Sequence, residues 1–331
     1  MEKNLFQTLS KACLVSLLLL LLAGAVVRVT GSGMGCPDWP TCWGCLIPPT
    51  SVDQVDFESL KIERFKKKAE RAGRNPDEIT VETLRHEFNP KHTWIEFINR
   101  CLTLPLGFIS LGLLGLALFG SKQRLRSLRI AAGAVFVLIL INAWMGARIV
   151  YSGLQPGTIT AHMAMAMLLL CILAYMISFS GDRSHLSSKP KLSPLLTWTG
   201  ALLFLLTVVE GILGSQVREL TDELGKAYPE GDREAWSEIL KSSTVYLVHR
   251  SFSWVIFALG LTVGWLGWKQ QSLKTLELIT VVIVIAQMLM GVMLSHWGVF
   301  GVIQVLHVFA SALLLVTNIF WLLNRRLQWQ A

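Results

Sequence analysis

Apolar residues occur in eight long runs separated by polar connections, and this pattern dominates the chain. Each run has at least about 18 residues, enough to cross a hydrocarbon core of roughly 30 Å as an α-helix. The first run also resembles a signal peptide, but no small-residue cleavage site follows it, so it is interpreted as a spanning helix. The pattern predicts an all-α integral membrane protein with eight transmembrane helices, at residues 12–29, 99–120, 130–151, 158–180, 194–215, 244–267, 276–296 and 301–323.

The distribution of positive charge predicts the orientation. The net charge of +8 comes with 53% hydrophobic and only 16% charged residues, and lysine and arginine concentrate in the connections after helices 2, 4 and 6 and in the tail. The connections after helices 3 and 7 carry neither. This positive-inside bias predicts cytoplasmic termini and argues against nucleic-acid binding. The residues are Lys122, Arg124, Arg126, Arg129, Arg183, Lys189, Lys191, Lys269, Lys274, Arg325 and Arg326.

Two connections on the outer side are long, at residues 30–93 and 216–243. The first begins rich in Gly, Pro and Cys and then becomes highly charged, and the second is charged throughout. We expect short helices over the outer face, with the charge runs forming solvated surfaces rather than binding patches.

A repeat relates the two parts of the chain. "MG" is followed sixteen residues after its glycine by a histidine on two occasions, giving His162 and His307 at an offset of 145. "FINRC" likewise matches "LVHRS" at an offset of 150, which aligns Arg100 with Arg250. The repeat is parallel and predicts two tandem pseudo-symmetric four-helix bundles. The expected halves are residues 1–181 and 182–331.

The two halves differ at their candidate functional positions. Asn99 occupies the place of His249, and Glu96 occupies the place of Tyr246. Ionisable residues inside a membrane are costly and usually functional. Two histidines on neighbouring helices of a bundle can ligate a heme iron, so His249 and His307 are candidate ligands, although a lone membrane histidine is more often a hydrogen-bonded helix contact.

Several arginines lie near the outer ends of the helices. Guanidinium groups suit carboxylates, so these residues are candidates to pair with heme propionates or with protein carboxylates. They are Arg28, Arg100, Arg148, Arg218 and Arg250. The remaining histidines are interpreted as interfacial (His296) or as solvated loop residues (His86, His92 and His185).

The first outer loop contains Cys36, Cys42 and Cys45 in "GCPDWPTCWGC". An oxidising outer compartment favours a disulfide. A Cys36–Cys42 bridge would close a small loop, and Cys45 is an alternative partner for Cys42. A zinc site would need a fourth ligand that the sequence does not supply. The sequence leaves open whether the bridge only holds the loop together or also has a redox role. Cys13, Cys101 and Cys171 lie in helices and are interpreted as small apolar residues.

Together these motifs resemble the heme A synthase family of cytochrome oxidase assembly enzymes. The resemblance is carried by "RVTGSGMGCPDWPTC", "WIEFINR", "GLQPGTITAH", "VHR" and "LH" and covers nearly the whole chain. It implies a heme B held by His249 and His307 in the C-terminal half. It also implies an N-terminal site where the ring methyl of heme O is oxidised to the formyl group of heme A, with Asn99, His162 and Glu96 at the matching positions.

The resemblance has further implications for the loop and for partners. The cysteine pair of the family matches Cys36 and Cys42. The context implies that a heme O synthase supplies the substrate, that heme A passes to a cytochrome oxidase, and that the protein lies in a bacterial inner membrane. A homo-oligomer is possible, and the sequence identifies no surface for it.

Asn99 departs from the family, because an amide oxygen is a poor iron ligand compared with imidazole. The substrate heme would be held by His162 alone, by His162 and a weak sixth ligand, or by His162 with His92, which lies seven residues before Asn99. Glu96 is the candidate catalytic group for moving protons. Its alternative roles are a favourable interaction with the helix dipole or an ion pair with Arg100.

Two other functions fit parts of the pattern. A b-type electron carrier would explain the histidines and cysteines but not the Glu96 and Asn99 exchange in one half. A transporter with parallel repeats usually has helix breaks near the bilayer midplane, whereas here the polar residues gather at the outer end.

Overall fold

A computed structural model describes residues 2–71, 75–120, 126–151, 157–181, 193–228, 233–270, 275–298 and 301–330. These residues form helices and connecting turns, with no strand among them. The helices are α1 (Glu2–Val29), α2 (Ile62–Arg71), α3 (Val81–Glu87), α4 (Pro90–Cys101), α5 (Thr103–Phe119), α6 (Arg126–Tyr151), α7 (Thr158–Ser180), α8 (Pro194–Ala227), α9 (Arg233–Ser242), α10 (Thr244–Lys269), α11 (Thr275–His296) and α12 (Gly301–Gln330).

Eight helical segments of the described chain are long and apolar enough to cross a membrane, as the hydropathy pattern predicts. The protein is therefore a multi-pass integral membrane protein with an all-α fold. The second span consists of α4 and α5, which meet at Leu102. Pro105 lies in the first turn of α5, where its missing N–H removes the bond that would continue α4. The hydroxyl of Thr103 donates to the carbonyl of Arg100 over 2.6 Å and so satisfies one acceptor freed at this junction.

The spans pack as two sets of four that share a seam. In the first set α5 and α7 both contact α1 and α6, and in the second α10 and α12 both contact α8 and α11. The seam is formed by α12 against α1 and α7, and by α7 against α8. A large apolar core fills the first set and reaches across the seam to Leu315 and Val316 of α12. The two sets are thus held together by side-chain packing inside the membrane.

Residues 30–71 and 75–89 form a folded unit at the C-terminal end of α1 and the N-terminal end of α4, here called the outer cap because the charge bias predicts that this end faces outward. Its apolar core surrounds Trp43, whose ring packs edge-on against Phe57 and Phe88. The short helices α2 and α3 confirm the expectation of helices in this loop. One part of that expectation is wrong, because Lys68 of the charged run is buried, with 6% of its surface exposed.

The cap is anchored on α4 through contacts of the Gly35 backbone. The indole N–H of Trp43 donates to the carbonyl of Gly35 over 2.8 Å, and the hydroxyl of Thr93 donates to the same carbonyl over 2.9 Å. Gly35 lies so close to the backbone of His92 that an added Cβ would be 2.4 Å from its carbonyl oxygen. Only glycine permits this approach, which brings the cysteine loop against α4.

The second outer connection is largely an extension of a span. α8 continues as one helix to Ala227, well past the predicted end at residue 215, and α9 follows as a short helix. Two carboxylates of this extension, Glu219 and Asp222, contact the other set of spans. Glu219 accepts from the backbone N–H groups of Gly157 and Thr160 and so caps the start of α7. These charges are structural contacts rather than a purely solvated surface.

Candidate functional site

His249 and His307 are each packed against a glycine of the preceding span. A Cβ added to Gly214 would lie 3.3 Å from Cε1 of His249, and one added to Gly291 would lie 3.7 Å from Cε1 of His307. The glycines therefore leave the space that the imidazole rings occupy. The two histidines are on α10 and α12, which both border α8 and α11.

The first set of spans repeats this arrangement with one change. A Cβ added to Gly146 would lie 3.6 Å from Cε1 of His162, and one added to Gly24 would lie 4.0 Å from Oδ1 of Asn99. Asn99 thus stands in the structure where the repeat predicted it, at the counterpart of His249. Its Oδ1 atom is buried and has no hydrogen-bond partner among the described residues.

A carboxylate that the sequence analysis missed contacts one of the histidines. Oε1 of Glu210 on α8 lies 3.0 Å from Nδ1 of His249. This is an ion-pair distance without hydrogen-bond geometry, and both Glu210 oxygens are buried with no other partner among the described residues. The signal was present, because Glu210 is the only charged residue of the predicted span 194–215. Such residues inside a membrane are functional candidates.

Glu96 joins α4 to the cysteine loop. Its Oε2 accepts from the backbone N–H of Cys36 over 2.7 Å, and its Oε1 accepts from the guanidinium of Arg100 over 2.6 Å. The side chain is buried, with 4% of its surface exposed. The ion pair with Arg100 that the sequence analysis named as one role of Glu96 is therefore present.

Arg100 is bound by protein groups in addition to Glu96. Its guanidinium donates to the carbonyls of Cys36, Asp38 and Thr41 at 2.7, 2.9 and 3.1 Å. Of its two expected partners, a propionate or a protein carboxylate, the structure shows the second. Arg100 thus links α4 to the cysteine loop through these hydrogen bonds.

The cysteine loop is closed by a Cys36–Cys42 disulfide, while Cys45 is free. Cys42 and Cys45 exchange backbone hydrogen bonds across a tight turn formed by Trp43 and Gly44, both with positive φ. The carboxylate of Asp38 accepts from the backbone N–H groups of these two turn residues at 2.6 and 2.9 Å. Of the two pairings left open by the sequence, the structure contains Cys36–Cys42.

Lys68 is a buried charge of the cap that lies near Glu96 and Arg100 of α4. Its ammonium donates to the carbonyl of Pro37 over 3.2 Å. Burial lowers the pKa of Lys68 to about 8; Arg100 adds to this effect, whereas Glu96 and Asp38 oppose it. The cap thus holds a small cluster of buried charges directly above the cysteine loop.

Arg28 and Arg218 meet at the seam instead of lying in separate sites. Both pair with Asp222, at 2.8 Å for Arg218, and Arg218 also donates to the carbonyl of Arg28 over 2.9 Å and to Gln304. Because α1 and α8 belong to different sets, this cluster joins the two sets where the C-terminal end of α1 meets the extension of α8. The protein carboxylate, again, is the partner that the structure shows.

The last two arginines lie over aromatic rings. The guanidinium of Arg148 is 5.9 Å from the ring centre of Trp144, and that of Arg250 is 5.9 Å from that of Tyr246. The hydroxyl of Tyr246, which replaces Glu96 in the repeat, is 2.6 Å from the hydroxyl of Ser295.

The other histidines are outside this arrangement. His92 lies in the first turn of α4, seven residues and roughly 10 Å along the helix axis from Asn99. This separation argues against His92 as a substitute ligand. His296 is at the end of α11, with Nδ1 3.1 Å from the carbonyl of Val292. His86 pairs with Glu82 on the cap surface, and His185 is outside the described residues.

The histidines that pack against glycines have the chemistry that a heme iron requires of the protein. The described residues contain no group of three or more His, Cys, Asp or Glu side chains arranged to hold a metal ion. A heme iron needs only one or two axial protein ligands, which the glycine-backed histidines can supply.

Comparisons with known proteins agree with the resemblance. Residues 7–319 match the family model COX15-CtaA, described as cytochrome oxidase assembly protein. Curated relatives named heme A synthase include those of Bartonella bacilliformis (28% identity over 72% of this chain and 68% of the relative), Bartonella tribocorum (26%; 74% and 71%) and Paramagnetospirillum magneticum (28%; 77% and 74%). The match to the family model spans nearly the whole chain. The protein therefore belongs to the cytochrome oxidase assembly family COX15-CtaA.

Proposed function

We propose that this protein is a heme A synthase that oxidises the ring methyl of heme O to the formyl group of heme A. The family and the names of its relatives support the reaction. The observation that carries the proposal is a repeated position whose side chain packs against a glycine of the preceding span. This position is histidine in three of its four occurrences and asparagine in one. Two sites built alike but ligated differently suit one retained heme and one heme that is a substrate.

In this proposal residues 182–331 form the heme B half, where His249 and His307 would ligate the iron. Heme B would supply one-electron redox chemistry there. Residues 1–181 form the substrate half, where His162 would bind the iron of heme O and Asn99 would offer only a weak ligand.

Glu96 is the proposed proton acceptor of the substrate half. It lies three residues, just under one helical turn, from Asn99 on α4, and it is buried beneath the outer cap. Oxidation of the methyl group through hydroxymethyl to formyl releases protons, and Arg100 beside the carboxylate provides a counter-charge. Arg148 and Arg250, whose guanidinium groups lie over aromatic rings, are the proposed propionate partners.

The proposed setting is a bacterial inner membrane with both termini in the cytoplasm, as the charge bias predicts. The outer cap and its disulfide then face the oxidising side. A heme O synthase supplies the substrate, and heme A passes to a cytochrome oxidase.

The test is expression in a bacterial host that makes heme O but lacks its own heme A synthase. The proposal predicts that heme A accumulates in membranes containing the wild-type chain and not in those containing His162→Ala. His296→Ala is the matched control and should behave as wild type. A host that contains heme O and folded wild-type protein but forms no heme A contradicts the proposal.

A further inference from the structure

Glu210 stands out among the buried charges because it contacts a proposed heme ligand and nothing else that is charged or polar among the described residues. Its side chain is 15% exposed and that of His249 is 21% exposed, and their closest atoms are 3.0 Å apart. A carboxylate in the middle of an apolar span is costly unless a partner compensates for it. The imidazole of His249 is the group placed to do so.

The repeat shows that this carboxylate accompanies the imidazole. Gly24 and Gly214 are equivalent because each backs the α4 or α10 ligand position, and their offset of 190 aligns Leu20 with Glu210. In the first half Leu20 therefore accompanies Asn99, and in the second half Glu210 accompanies His249. Where asparagine replaces the histidine of this position, leucine replaces the carboxylate.

The geometry on α8 explains how the pair is held. Glu210 and Gly214 are four residues apart and lie on the same face of the helix. Gly214 provides the gap that accepts the ring, since an added Cβ would be 3.3 Å from Cε1 and 3.8 Å from Nδ1 of His249. The same helical turn thus supplies both the space for the ring and a carboxylate 3.0 Å from its Nδ1.

We infer that Glu210 is a positioning residue for His249: its carboxylate accepts a hydrogen bond from Nδ1–H and leaves Nε2 as the nitrogen that binds the iron of heme B. Ligating histidines are commonly oriented in this way, and the negative acceptor increases the basicity of the ligand. A more basic ligand favours ferric over ferrous heme, which lowers the reduction potential. The inference rests on the heme B site of the proposed function.

The test compares the heme B reduction potential of the purified full chain with that of Glu210→Gln, Glu210→Asp and Glu223→Gln. Glu223 is an exposed carboxylate on the same helix, so its variant is the matched control. The inference predicts a higher potential in Glu210→Gln, by 59 mV for each tenfold loss of preference for ferric heme. Glu210→Asp should lie closer to wild type, and Glu223→Gln should equal it.

The outcomes separate the inference from the proposed function. An unchanged potential and unchanged ferric electron paramagnetic resonance spectrum in heme-loaded Glu210→Gln overturns the inference alone. Wild-type protein without any b-type heme contradicts the proposed heme B site itself. Should Glu210→Gln retain no heme, nitrogen-15 chemical shifts of labelled histidine in the heme-free chain report the tautomer directly. A protonated Nδ1 of His249 in wild type that is lost in Glu210→Leu, which removes the acceptor altogether, supports the inference, and the same tautomer in both overturns it.

Discussion

The backbone N–H of Cys36 donates to the carboxylate of Glu96 over 2.7 Å, which joins the disulfide loop of the outer cap to the span that carries Asn99. Arg100 reinforces this junction by binding the same carboxylate and three carbonyls of the loop. Glu96 therefore has a structural role in addition to the proposed chemical one. A useful variant must remove the proton acceptor and keep the loop in place.

Glu96→Gln meets that requirement, because the amide oxygen still accepts from Cys36 while the basic carboxylate is lost. We expect heme A formation to stop, with heme B content and the resistance of the disulfide to reductant near wild type. Heme chromatography and timed thiol labelling measure the two properties. Normal heme A production by this variant would exclude the proposed proton role.

Asn99→His should restore the missing imidazole of the first half. Gly24 leaves room for the ring, as Gly214 does for His249. We expect the bound ferric substrate heme to change to a six-coordinate, low-spin form with two histidine ligands, as its absorption and electron paramagnetic resonance spectra report.

The matched control for that change is Ile98→His. It places a histidine on the exposed face of α4, where Ile98 is 52% exposed. This variant should keep the wild-type spectrum. A wild-type substrate heme that already has two histidine ligands would contradict the role given to Asn99.

Gly35→Ala should detach the outer cap from α4. Its Cβ would lie 2.4 and 2.5 Å from backbone atoms of His92, which cannot rotate away. Overpacking of this kind costs about 1–3 kcal/mol. We expect faster reduction of the disulfide and faster proteolysis within residues 30–93. Gly115→Ala, where an added Cβ meets nothing within 4 Å, is the control and should match wild type.

Lys68 predicts a specific pH dependence of cap stability. Burial holds its pKa at about 8 in the folded protein, below the ordinary lysine value of 10.5. Between these values the unfolded cap binds more protons, so the contribution of Lys68 makes the cap more stable as pH rises from about 8 to 10.5. Below about pH 8 the full cost of burying the charge is present.

Lys68→Met removes this contribution, and its apolar side chain fits the buried site without a charge. The difference in proteolysis rate between wild type and Lys68→Met should therefore be large at pH 7 and should shrink toward pH 10.5. A difference that stays constant over this range would show that Lys68 is not the titrating group.

The sequence was sufficient for the features that depend on local pattern. Hydropathy located all eight spans, and the repeat aligned Asn99 with His249, although it did not predict that each packs against a glycine. The pairing of Cys36 with Cys42 followed from the family resemblance rather than from spacing. What the sequence could not supply were partners distant along the chain.

Three charged residues illustrate that limit. Arg28 and Asp222 are 194 residues apart and meet only because folding brings the end of α1 close to the extension of α8. In the sequence Lys68 is one of several lysines of the charged helix α2. Of these lysines, the fold of the cap buries Lys68, next to the cysteine loop. Glu210 carried a signal in its position within an apolar span, but its partner became evident only from the packing of α8 against α10.

The central claim is that the two halves hold different hemes for different purposes. The direct measurement is chromatographic identification of the hemes extracted from purified wild-type, His249→Ala and His162→Ala proteins, made in cells that also produce heme O. The account predicts heme B together with heme O or heme A in wild type, loss of heme B alone in His249→Ala, and loss of heme O and heme A alone in His162→Ala. Heme B as the sole heme of wild-type protein, with both variants equally depleted, would contradict it and favour an electron carrier.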